Sequence, residues 1–191
     1  MVFVILFLLA GCWDYREIED VVITAGFAVD IGSENTYLLT METIWVEQSS
    51  GGDIQPQSKV IKVEGLNLFD AVRNAIKVSP HRLYWSHAKV IIISEEVARE
   101  GIVKVLDVII RAPEPRLTMN ILISKKQNAS ELLPYDTLLD KIYSYEIAEM
   151  LKAQEDLSKA PNNEVREVVD KLMAEGISAV IPTIGLTIVD G

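Results

Sequence analysis

Cys12 is the single cysteine of this 191-residue chain, and its setting gives it a chemistry. The uncharged apolar run over residues 2–9 leads into Leu9-Ala10-Gly11-Cys12, and a charged segment, residues 14–20, begins almost directly after it. A cysteine with two small residues before it, at the end of such a run, reads as the acceptor of a bacterial lipoprotein signal. Cleavage before Cys12 then leaves a new N-terminus carrying a diacylglyceryl thioether and usually an amide-linked acyl chain. Two or more chains, at about 0.8 kcal/mol per buried CH₂, anchor a protein stably where one chain is marginal. The 11 residues before Cys12 are too few to cross a hydrocarbon core of about 30 Å at about 1.5 Å per helical residue, so they read as a signal-peptide h-region. The competing reading is a free thiol in an apolar segment, or an odd cysteine open to an intermolecular disulfide. An n-region ordinarily carries Lys or Arg, whereas Met1 is followed by Val2 and Phe3, so the true start is expected upstream.

Other reactive side chains are sparse. The two histidines, His81 and His87, lie in Ser79-Pro80-His81-Arg82-Leu83-Tyr84-Trp85-Ser86-His87. A metal site would have to combine them with Glu95 or Glu96. No third ligand stands at ligand spacing, so no metal is expected, and the simpler reading is a loop with a satisfied histidine at a strand entrance. His-Glu-x-x-His, P-loop, Gly-x-Ser-x-Gly and dinucleotide patterns are absent from the sequence. The carboxylates are scattered and no nucleophile has a recognisable base at motif spacing, so no catalytic residue and no cofactor beyond the lipid on Cys12 is expected. A tethered hydrolase is the least supported class. Arg82, Tyr84, Trp85 and His87 gather as such residues do at protein interfaces, which makes them candidate partner contacts. Core packing of Tyr84 and Trp85 is the alternative.

Composition sets the remaining bounds. With 49% apolar and 24% charged residues, the chain can build one well-packed domain. A formal net charge of −10 and a pI near 4.7, with no Lys/Arg cluster, argue against nucleic acid as a partner. The same balance disfavours adhesion to anionic lipid by charge, so membrane attachment has to come from acylation or a protein partner. One cysteine cannot form an internal disulfide.

These side chains need a scaffold, and the apolar periodicity supplies one. Val21, Ile23, Ala25, Phe27, Val29 and Ile31 alternate as one face of a strand, residues 32–35 read as a turn, and residues 36–47 form a second strand, giving an antiparallel hairpin. A polar loop leads to a short strand over residues 58–64, whose Lys59, Lys62 and Glu64 suit an edge. Asn67 caps a helix carrying Leu68, Val72, Ala75 and Ile76, with Asp70 as a capping-box variant, and Ser79-Pro80 ends it. Residues 88–93 read as a central strand buried on both faces. Ser94 caps one long helix over residues 95–111, with Ala98, Ile102, Val105 and Ile109 on one stripe and Val103, Leu106 and Ile110 beside it. Pro113 and Pro115 stop that helix, and Leu117, Met119, Ile121 and Ile123 alternate as a further strand. Strand-helix alternation over residues 58–124 implies parallel crossovers. Two helical stripes follow, Leu139, Tyr143, Ile147, Met150 and Leu151, then Val165, Val168, Val169, Leu172 and Met173. The strand-like segment 178–190 is kept from a central place by Pro182. The expected fold is α+β: a mixed sheet, with an N-terminal antiparallel hairpin and βαβαβ crossovers, covered by helices.

The chain resembles the Ger(x)C spore germination proteins, the C subunits of nutrient germinant receptors in spore-forming bacteria. The resemblance rests on Gly11-Cys12-Trp13-Asp14-Tyr15-Arg16-Glu17-Ile18, Thr24-Ala25-Gly26-Phe27-Ala28-Val29-Asp30, Ser86-His87-Ala88-Lys89-Val90-Ile91-Ile92-Ile93-Ser94, and Ala98-Arg99-Glu100-Gly101-Ile102. Arg111-Ala112-Pro113-Glu114-Pro115-Arg116 resembles the family's Arg-Asp-x-Glu-x-Arg, with Ala112 where an acidic or amide residue is usual. What the resemblance implies is a lipoprotein on the outer face of the spore inner membrane. It would work without enzymatic activity beside an integral-membrane A subunit and a multispanning B subunit. Residues 1–11 are then the signal peptide and 12–20 the lipidated tether. Residues 21–176 form the mixed α/β N-terminal domain, and 177–191 connect to further C-terminal domains of the family pattern.

Cys12 is the expected lipidation site. Trp13, Asp14, Arg16 and Glu17 are expected to set the domain's pose above the bilayer and to take part in partner binding. Arg82, Tyr84, Trp85 and His87 are expected to contact partner subunits. The competing function is a membrane-tethered lipoprotein that captures a small nutrient directly, its pocket at the carboxyl ends of the parallel strands near Ser94 and Ser124.

Overall fold

The β-branched run that opens the domain forms strand β1 (Val21–Ile31), paired antiparallel with β2 (Tyr37–Gln48), which pairs antiparallel with β3 (Ile54–Gly65) at the sheet edge. This computed structural model describes residues 21–48, 54–79, 81–125, 127–133, 142–156, 161 and 163–186. The hairpin turns through a short 3₁₀ segment, Ser33–Asn35, where Glu34 and Asn35 take φ of 50° and 64°. β1 departs from the strict alternation expected of it. Its register against β2 slips between Thr24 and Gly26, so Ala25 is a bulged residue. The bulge changes parity, and Val22 therefore shares a core with Phe27 and Val29 instead of facing away from them. The third strand is longer than the expected segment 58–64, because its ladder with β2 continues to Ile54.

Helix α1 (Leu68–Val78) begins as its cap residues dictate. Asn67 Oδ1 accepts the Asp70 amide at 2.9 Å, and Asp70 Oδ2 accepts the Leu66 amide at 3.1 Å. The chain then returns to β1 twice along the same edge. β4 (Arg82–Tyr84) lies parallel to its first residues, and β5 (Val90–Ser94), buried throughout, lies parallel to its later half. Ser94 Oγ caps α2 (Glu95–Gly101) by accepting the Val97 amide at 3.3 Å. The single helix expected over residues 95–111 is broken. Gly101 sits at φ 121°, a backbone open to glycine and hostile to other residues, and α3 (Val103–Arg111) starts afresh. Val103 and Ile110, expected beside the buried stripe, are exposed, while Val105, Leu106 and Ile109 stay buried.

Strand β6 (Asn120–Ser124) lies parallel to β5. It is shorter than the alternation from Leu117 suggested, because residues 116–119 form a turn in which the Met119 amide bonds to the Arg116 carbonyl. The order continues through α4 (Tyr143–Asp156), α5 (Val165–Met173) and β7 (Thr183–Ile184), an edge strand parallel to β6 and directly after Pro182. Among the described residues the sheet has seven strands in the order β3-β2-β1-β5-β6-β7, with β4 beside β1. Two cores follow from its two faces. Phe27, Leu39, Met41, Ile91 and Ile121 pack under α1, α2, α3 and α5, while Ala28, Val90, Ile92 and Leu122 pack against residues 129–133 and Ile147 and Leu151 of α4. A fully buried Ile or Leu of this kind contributes about 1.5–3 kcal/mol. No helix among the described residues is long and apolar enough to cross a membrane. Leu139, expected on a helical stripe, and residues 187–190, expected in the last strand, lie outside the described residues.

Candidate functional site

β4 has three residues, and strand alternation divides the Arg82, Tyr84, Trp85 and His87 cluster between two sides. Leu83 is buried, while Arg82 and Tyr84 point outward. Trp85 turns back against the sheet and packs edge-on to Phe27, with ring centroids 5.4 Å apart at 83°. The rings of Tyr84 and His87 lie 5.7 Å apart, both exposed. Trp85 therefore takes the core role and Tyr84 does not. The parallel register Val21↔Arg82, Val22↔Leu83 and Ile23↔Tyr84 sets this loop beside the first residues of the domain.

Behind β4 lies an apolar groove of about 700 Å³. Phe27, Leu39 and Leu83 line it from the sheet, Leu68, Phe69, Val72 and Ile76 from α1, and Val108 and Ile109 from α3. Residues 111–115 and Trp85 complete the wall. The Arg82 guanidinium forms an ion pair with Glu114, and Ser86 Oγ donates to the Glu114 carbonyl at 2.9 Å, tying the β4 loop to that wall. Phe69 and Ile76 form an exposed lip, with the Arg73 guanidinium 5.9 Å from the Phe69 ring. Glu114, Phe69 and Ile109 were missing from the site read in the sequence. The Arg111 to Arg116 motif was the available signal, since it supplies one wall.

The opposite face carries two buried carboxylates that act on the backbone. Asp30 accepts the Ala129 and Ser130 amides at 2.6 and 2.8 Å. Glu42 accepts the Tyr143 and Ser144 amides at 2.8 and 2.7 Å, the Ser144 hydroxyl at 2.5 Å and the Ser58 hydroxyl at 2.8 Å. Unpaired amides at the start of a helix attract a negative charge, so Glu42 docks α4 onto the sheet. Gly26 lets it come that close: a Cβ there would lie 2.3 Å from Ser144 Oγ and 2.9 Å from Val90 Cγ2.

Burial raises the Asp30 carboxyl above its ordinary 3.8, against the opposing pull of the backbone and Ser130 bonds. Hydrogen bonds from Ser33 and Thr36 lower exposed Glu64 from 4.5. The linkage has opposite signs. Folded Asp30 holds its proton more tightly than the unfolded chain does, so its contribution to stability falls as pH rises from 3.8 through its raised value. Glu64 contributes above 4.5 and loses that contribution as pH falls through its lowered value. Side-chain carboxyl NMR is expected to show the two titrating on opposite sides of their reference values. Asp30 midpoints at or below 3.8 would rule out burial as the dominant cause.

His81 packs edge-on to Trp45 at 5.6 Å and His87 packs on Tyr84, so the two imidazoles serve different rings. Among the described residues no three His, Cys, Asp or Glu side chains form a group able to hold a metal. Ser94 is used as a helix cap, and Ser124 Oγ donates to the Gln127 carbonyl at 2.5 Å. The groove instead lies on the helical face between α1 and α3. Cys12, Trp13, Asp14, Arg16 and Glu17 lie outside the described residues.

A family described as the spore germination protein N-terminal domain matches residues 14–186. Spore germination protein KC of Bacillus subtilis (strain 168) is 30% identical over 182 residues, 91% of this chain and 45% of that protein. Putative spore germination protein YfkR of the same organism is 32% identical over 151 residues, 75% of this chain and 38% of its own. Spore germination protein B3, also from that organism, is 27% identical over 134 residues, covering 69% and 35%. The chain thus spans less than half the length of these relatives. No solved structure matches.

Proposed function

The chain belongs to the spore germination protein N-terminal domain family, and from that premise we propose that it is a lipid-anchored, non-catalytic subunit of a nutrient germinant receptor. In this reading Cys12 carries the lipid, the domain sits on the outer face of the spore inner membrane, and it assembles with integral-membrane A and B subunits. The observation that supports it is the parallel pairing of Val21 with Arg82 and of Ile23 with Tyr84. Nine peptide steps separate Cys12 from Val21, a reach of at most about 30 Å. An anchor at Cys12 therefore holds exposed Arg82, Tyr84 and His87 within a few tens of ångströms of the bilayer, in reach of the outer loops of an integral-membrane partner. Aromatic residues and arginine are the types enriched at such contacts.

The test uses the gene with its native upstream region in a sporulating host, with a photo-crosslinking phenylalanine at Tyr84 or, as control, at exposed Glu149 of α4. Tyr84 is expected to give membrane-protein adducts that Glu149 does not. Cys12→Ala is expected to remove the chain, and a diacylated N-terminal peptide, from spore membranes. Equal adducts at both positions, or none from a chain still present in those membranes, would overturn the partner assignment. A second reading, direct capture of a small solute by a tethered domain, is favoured by the groove's size, which falls within the range of small-molecule sites.

A further inference from the structure

We propose that the groove between α1 and α3 binds a small amphiphilic carboxylate, its apolar body against Leu39, Val72 and Ile109 and its head group on Arg82. The proposal gives the second reading a ligand class and needs no partner subunit, so failure of the crosslinking test leaves it standing.

Three observations carry it. The volume, about 700 Å³, suits a molecule of small-ligand size. The lining is chemically lopsided: Ser79, His81 and Arg82 are neighbours in the chain, and Glu114 is bonded to Arg82, so the polar groups gather at one end. The sheet floor and α1 wall are apolar. A ligand matched to this lining has one polar end and a long apolar body. The sign of the head group follows from the guanidiniums. Arg111 is held by Asp107 on its own helix at 2.8 Å. Arg82 gives one nitrogen to Glu114, its side chain is 51% exposed, and a guanidinium has five donors, so it retains the planar fork that a carboxylate fits.

A partner helix fits less well. A helix is about 10–12 Å across with its side chains. The groove's volume, about 700 Å³, is that of a small-molecule site and less than a helix of several turns would need.

The experiment is titration calorimetry of the purified full chain with decanoate, decanol and decyltrimethylammonium, each below its aggregation limit. Decanoate is expected to bind saturably at one site, more tightly than decanol, and decyltrimethylammonium more weakly than either. Arg82→Gln is expected to weaken decanoate about tenfold, as loss of a charged hydrogen bond would, while leaving decanol nearly unchanged. Ile76→Glu, at an exposed lip position, should abolish binding of both. Val103→Glu, equally exposed but off the groove, should change neither. The substituted residues are exposed, and circular dichroism verifies that each variant is folded. Absence of saturable decanoate binding, decanoate binding that survives Ile76→Glu, or equal affinity for the cationic amphiphile would overturn the proposal.

Discussion

Glu42→Ala is expected to destabilise the domain by about 2–4 kcal/mol, because several buried neutral donors lose their acceptor at once. Glu42 is 1% exposed and receives four donors, two of them the first amides of α4. Alanine leaves those amides and the Ser144 and Ser58 hydroxyls without their acceptor, and unsatisfied buried donors cost about 1–3 kcal/mol apiece. The effects are less than additive because the end of α4 can shift toward water. Glu42→Gln keeps an acceptor oxygen but sets an amide NH₂ against donors, so an intermediate loss is expected. Equilibrium urea unfolding measures the loss, and hydrogen exchange locates it: α4 amides should exchange faster while those of β5 stay protected. A loss below about 1 kcal/mol would mean that the α4 contact is held by Ile147 and Leu151 alone.

Gly26→Ala is expected to cost about 2–3 kcal/mol by overpacking the same contact from the other side. The added Cβ would stand 2.3 Å from Ser144 Oγ, 2.7 Å from Ser144 Cβ and 2.9 Å from Val90 Cγ2. Ser144→Ala removes only the first of these, so the double variant should recover part of the loss and no more. Full recovery would show that the hydroxyl is the sole obstruction. Both effects fall on the face opposite the groove. Decanoate binding per folded molecule should therefore persist in Gly26→Ala at temperatures where the variant remains folded.

The parts of this fold that were legible in the sequence are those governed by neighbours in the chain. The β1–β2 hairpin, the Asn67 cap, the buried run of β5 and the edge placement of β7 after Pro182 each follow from a few consecutive residues. The break at Gly101 was hidden because glycine in a helical pattern gives no sign of its φ, and the apolar stripe runs on past it. The bulge at Ala25 was hidden for a similar reason, since apolar residues fill both parities of β1. The two carboxylate contacts lay further out of reach: Asp30 meets residues 99 and 100 positions away, and Glu42 meets Tyr143 and Ser144 at 101 and 102. Of the site, the β4 loop was legible as an aromatic and charged cluster. The groove was not, because its lining is drawn from segments between Phe27 and Pro115 that only the sheet brings together.

The pairing of Val21–Ile23 with β4 also bears on how the domain carries load. If the chain is tethered through Cys12 as proposed, a pull from that end would enter along β1, an inner strand held by ladders to β2 on one side and to β4 and β5 on the other. Drawing it out along its axis loads backbone ladders on both of its sides at once, whereas edge strand β3 is held by a single ladder. The first three residues of β1 pair with β4, the strand that also holds Arg82 against Glu114. Tension on such a tether would therefore be passed to the strand at the mouth of the groove.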